Sequence, residues 1–169
     1  MAKIVISRGH EISLEFGGLR LEVYHTPNFG TSTRVRGLRG DDWPEMLRFD
    51  DFVDTPHYHA PASDPVQIDL DPAVIGEPVE FFLEILASKL PDILPPIGYA
   101  DVLETLDLDE VRRHLKVVRE AMDTVLPPGF FRTPGRFLQD SDPDRPRLRD
   151  EANARFAARM REIQEKSSR

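Results

Sequence analysis

Fifteen prolines are spread along a chain of 169 residues, and their positions constrain its fold more than any other feature. That is about twice the usual ~5%. Proline removes a backbone donor and breaks helix interiors and central strands, so regular structure is confined to the stretches between prolines. Three long proline-free windows are present, at 1–26, 97–126 and 147–169, and they differ in kind.

The first window reads as strands. Segment 3–7 is followed by Ile12, Leu14 and Phe16 alternating with polar residues, then Gly17-Gly18, then Leu19, Leu21 and Val23. Period-two alternation around a Gly-Gly pair predicts a hairpin with one face inward and Glu11, Glu15, Arg20 and Glu22 outward. Further short strands are expected at 45–53, 57–60 and 66–70, bounded by Pro44, Pro56, Pro61, Pro65 and Pro72. No helix lies between them to make parallel crossovers, so the sheet should be an antiparallel meander.

From Pro78 the period changes. Pro78 suits a first helical position, and Val79, Phe82, Leu83, Leu86 and Leu90 fall on one face, with Phe81 and Ile85 on a second. Pro91, Pro95 and Pro96 then impose short turns. Asp107 and Glu110 match a capping box ahead of the stripe Val111, Leu115, Val118, Met122 and Val125. Strands first and helices second predict an α+β domain over 1–126, strands in 1–75 and helices in 78–126 packed on one face of the sheet. A Pro/Arg-rich arm at 127–149 and a helix at 150–169 follow it. The length fits one domain.

Charge and cysteine usage exclude several function classes. A net charge of −8 argues against nucleic acid, whose phosphates demand a basic face. No apolar run approaches the ~20 residues that span a bilayer, and residues 1–20 lack the layout of a secretory signal. A cytoplasmic location is the default expectation. Without cysteine there is no disulfide framework, thiol nucleophile or thiolate metal site. No Walker A sequence, dinucleotide glycine fingerprint, nucleophile elbow or EF-hand loop occurs.

The most chemically suggestive segment is FDDFVDTPHYH, residues 49–59. Residues two apart on a strand share a side, so His57 and His59 would present two imidazoles together. Two imidazoles and a carboxylate suit Zn, Fe, Ni or Mn, with Asp51, Asp54 or His25 as further ligands; Asp50 and Asp64 lie nearby in sequence. The competing expectation is an edge strand with Tyr58 toward the core and the histidines toward solvent, or a metal-free, pH-sensitive His–Asp cluster. The His-x-His spacing resembles the first metal motif of cupins. That motif continues with a glutamate three or four residues on, where this chain has Ala62 and Ser63, and the helical second half departs further, so the family is not carried over.

Two other features bear on partners. Residues 30–40, GTSTRVRGLRG, place Arg34, Arg36 and Arg39 among glycines and hydroxyls, an expected anion-binding loop or else a solvated connection or strand. Residues 127–169 carry 10 basic and 7 acidic residues, net +3, leaving −11 for residues 1–126. A basic extension with Phe130, Phe131, Phe156, Met160 and Ile163 as apolar anchors is expected to dock on its own acidic body, a second copy or a protein partner. The sequence therefore supports two readings: an accessory or interaction subunit docking through its C-terminal extension, or a small metal-dependent enzyme or metal-binding sensor.

Overall fold

The computed structural model describes residues 2–7, 11–26, 30–52, 55–64 and 67–126. Its framework is a seven-stranded antiparallel sheet in strand order 1-2-3-4-5-6-7. The strands are β1 (Lys3–Ser7), β2 (Glu11–Phe16), β3 (Leu19–Thr26), β4 (Gly30–Gly37), β5 (Glu45–Phe52), β6 (His57–His59) and β7 (Ile68–Asp69). The expected meander is present. Strand β4 follows the strand alternative for residues 30–40 rather than the anion-binding loop, because it pairs on both sides, Arg34 opposite Glu22 of β3 and Arg48 of β5. Thr31, Thr33 and Val35 explain this: β-branched residues at every second position suit a pleated surface.

Helices follow the strands: α1 (Pro72–Ile75), α2 (Pro78–Glu84), α3 (Leu90–Ile93) and α4 (Leu108–Thr124). Pro78 opens α2 as expected, but the helix passes into a π-helical turn at Ile85–Lys89 before α3. Arg112 of α4 donates from Nε to the Ala87 carbonyl inside that turn at 2.9 Å, capturing an oxygen on its exposed side. Arg119 of α4 pairs with Glu77 and Glu80 at the start of α2.

Alternation divides the sheet into two faces. Leu14, Leu21, Val23, Val35, Leu47, Phe49 and Tyr58 point to one side and are buried with Val79, Phe82, Leu86, Val111, Val118 and Met122. Phe49 stacks on Phe82 with ring centroids 4.5 Å apart, so α2 lies directly on β5. The other face carries Glu22, Arg34, Arg36, Glu45 and Arg48, all half-buried.

The β2–β3 turn locks the sheet to α4. Gly17 and Gly18 have φ of 56° and 80°, the pair of positive values that a tight hairpin requires. The capping residue Asp107 receives the Glu110 amide at 2.9 Å. Its partner departs from the expected box: Glu110 accepts the Gly17 N–H at 3.0 Å, while the Asp107 N–H donates to the Gly17 carbonyl at 3.1 Å. A side chain on Gly18 would also meet the Thr105 carbonyl oxygen at 2.5 Å. Gly18→Val should therefore lower unfolding stability by about 1–3 kcal/mol, read from the urea midpoint; an unchanged midpoint would rule out this turn geometry.

Candidate functional site

Strand β6 is three residues long and pairs with β5 in a register that sets Tyr58 opposite Phe49 and His57 opposite Asp50. Tyr58 therefore points into the core, as alternation requires, and His57 and His59 share the outer face. The expectation that they face solvent is corrected: the side chains are 8% and 15% exposed. Phe52 of β5 covers part of this pocket, its ring 5.4 Å from that of His57 and nearly perpendicular to it. The two imidazoles are 5.3 Å apart and nearly perpendicular to each other.

Each ring is oriented through Nδ1. His57 Nδ1 lies 2.7 Å from the Thr55 carbonyl oxygen, and His59 Nδ1 lies 3.0 Å from that of Asp64. A carbonyl oxygen only accepts, so both Nδ1 atoms carry protons. Both Nε2 atoms then turn to one carboxylate oxygen, Asp50 Oδ2, at 3.2 Å from His57 and 3.7 Å from His59. The three potential ligand atoms lie within 4.8 Å of one another. With neutral imidazoles, two nitrogen lone pairs confront an acceptor-only carboxylate. Such a grouping holds together around a positive charge, either further protons on the rings or a metal ion.

Two of the three spacings are close to those around an ion, and the third lies within 4.8 Å. Metal–nitrogen and metal–oxygen bonds of about 2.0–2.2 Å imply ligand–ligand edges of roughly 3.0 Å in octahedral and 3.4 Å in tetrahedral geometry. The observed 3.2 and 3.7 Å lie close to those edges. The backbone carbonyls on Nδ1 serve as the orienting partners that ligating histidines almost always have.

The other expected ligands are placed differently. Asp51 has the parity of Phe49 and pairs in register with Thr31, which itself pairs with His25. These residues occupy the helix-facing side, so the sheet separates Asp51 and His25 from the imidazoles, and Asp50 takes the carboxylate position. A signal for this was present in the sequence. With Leu47 and Phe49 inward, alternation puts Asp50, not Asp51, on the outer side. Asp54 lies outside the described residues, as do the anchors Phe130, Phe131, Phe156, Met160 and Ile163.

The three arginines of the expected anion loop are divided. Arg34 and Arg36 share the outer face of β4, where their backbone amides belong to a doubly paired strand and are not available to cradle an anion. Arg36 donates from Nε to Glu22 at 2.9 Å and from Nη1 to the Trp43 carbonyl at 3.1 Å. Trp43 itself lies under Arg20, whose guanidinium is 4.3 Å from the indole ring. Arg39 lies beyond the strand, bonded to Asp101 at 2.6 Å and to the Gly98 carbonyl at 2.8 Å. That hydrogen bond holds the Asp101 carboxyl below the usual carboxylate range.

Residues 11–122 match the family model described as Domain of unknown function (DUF7700), and the chain belongs to that family. No curated protein and no solved structure matches it. The match spans all three residues of the Asp50–His57–His59 group. No helix among the described residues is long and apolar enough to cross a membrane.

The Nδ1 contacts make a spectroscopic prediction for neutral His57 and His59. Proton-coupled nitrogen NMR of histidine-labelled, metal-free protein should assign both to the Nδ1–H tautomer. Finding the Nε2–H tautomer at either ring would overturn the proposed orientation.

Proposed function

We propose that this protein binds a divalent transition-metal ion through Asp50, His57 and His59, and that it uses the ion for metal-dependent chemistry. The observation that carries this reading is the convergence of two oriented Nε2 atoms on one carboxylate oxygen. Imidazole suits Zn, Fe and Ni, and two histidines with one carboxylate form the pattern of facial-triad sites with open positions. Manganese is the harder alternative, for which the carboxylate is the better donor.

Three protein ligands distinguish catalytic from structural zinc-type sites, which close their fourth position with protein. An ion held here would polarise a bound oxygen or lower the pKa of a bound water. The protein residues do the positioning. Asp50 supplies charge, the Thr55 and Asp64 carbonyls fix the rings, and Phe52 packs edge-on against His57. Burial adds to the effect, because electrostatic interactions strengthen as water is removed.

Full-length protein incubated with Zn, Fe, Ni or Mn and then desalted should retain close to one ion per chain by elemental analysis. Asp50→Ala, His57→Ala and His59→Ala should each weaken binding by at least about 100-fold, since even the groups that orient metal ligands are worth 10–100-fold. Asp51→Asn and His25→Ala should leave affinity within about twofold, because alternation sets them on the opposite face. Protein that stays metal-free with all four ions would sink the reading.

A further inference from the structure

We infer that the ligand taken up at this metal centre is a small carboxylate, gripped by Arg34 and Arg48; the inference rests on the metal reading of Asp50, His57 and His59. The argument starts from the sheet register. Glu22, Arg34, Arg48 and His59 are successive partners across β3, β4, β5 and β6, so they form one row on the outer face. The row beside it contains Tyr24, Ser32, Asp50, His57 and Asp69. Arg48 therefore pairs directly with His59, and Arg34 and Arg48 stand in the row next to that of Asp50 and His57.

Among the described residues, exposure rises on both sides of the triad, toward Arg34 and Arg48 and toward the exposed Asp69, which pairs with His57. Side-chain exposure is 7% at Asp50, 8% at His57 and 15% at His59, and it rises to 34% at both Arg48 and Arg34. A ligand reaching the triad from the β4–β5 side passes the arginines first.

Those arginines retain donors for it. Arg34 comes no closer than 3.6 Å to Glu22 and 3.9 Å to Glu45, beyond the range of a good N–H···O bond, while its guanidinium lies 4.7 Å from the Tyr24 ring. Arg48 gives Nε and Nη2 to a single oxygen of Glu45, at 3.0 and 2.8 Å, leaving Nη1 outside that pair. Within the β3–β5 part of the face, the arginines outnumber the acids they pair with. Arg34, Arg36 and Arg48 share Glu22 and Glu45, while Arg20 has its own partner in Glu15. A divalent ion on Asp50 adds a further positive charge. A carboxylate placing one oxygen on the ion and the other on a guanidinium answers both, in the planar geometry that arginine recognises. A neutral oxygen donor answers neither.

The full-length chain loaded with cobalt(II) provides the test, because the visible bands of cobalt report changes in its ligands. Lactate and malonate should shift those bands saturably, and lactamide and malonamide at equal concentration should not. Arg34→Gln and Arg48→Gln should each weaken lactate and malonate binding by about tenfold, the scale of one charge-assisted hydrogen bond. Cobalt affinity should stay within about twofold, since neither arginine belongs to the ligand set. A cobalt-loaded protein blind to both carboxylates, equally responsive to the amides, or more responsive to inorganic phosphate would overturn the carboxylate assignment and leave the metal site standing. The comparison of acids with amides decides this in the unmutated chain, whatever the variants do to folding. Failure to bind cobalt, together with the other four ions, would remove the metal site and this ligand with it.

Discussion

The pairing of β5 with β6 sets Phe49 opposite Tyr58 and Asp50 opposite His57, and both faces of the sheet depend on that register. On one side Phe49 stacks on Phe82 of α2 and closes the core. On the other, one residue along, a carboxylate meets two imidazoles. Because side chains alternate, a one-residue slip would exchange the faces, burying Asp50 under the helices and exposing Phe49. The aromatic stacking that stabilises the core thus also holds the polar site in register.

Helix α4 contributes from the opposite end of the sheet. Its first turn receives the β2–β3 hairpin through two hydrogen bonds with Gly17, and His114 stacks on Phe16 at 5.1 Å. Arg112 and Arg119 connect the same helix to the α2 segment. Strands β2 to β5 are consequently held between a clamp at Gly17 and the Phe49–Phe82 stack. A site built on rigid strands keeps its ligand atoms within the narrow tolerances that coordination demands, which loops do less well.

The Asp50 cluster is a costly way to fill a half-buried face. Burying a carboxylate beside two imidazoles carries a desolvation cost, and well-packed apolar residues of similar volume are commonly as stable or more so. The outer face nearby also carries three arginines on two glutamates, Glu22 and Glu45 each being shared between them. Both features have a purpose if the face receives an ion and then an anion.

Local pattern determined much of this protein. Alternation around Gly17-Gly18 specified a hairpin, Pro78 and Asp107 marked helix starts, and His57-Tyr58-His59 announced two imidazoles on one side, because periods of two and 3.6 residues are written directly in the order of side chains. Strand β4 was obscured by its glycines and arginines, which read equally well as a loop until neighbouring strands paired with both its edges. Glu110 looked like half of a local capping box, yet it accepts an amide 93 residues away in sequence. Alternation already set Asp50 and Asp51 on opposite sides, but tertiary structure alone decided that Asp50 meets both histidines, that His25 lies across the sheet, and that the Thr55 and Asp64 carbonyls orient the rings. Those outcomes depend on the register between strands and the path of the chain between them, which no single segment encodes.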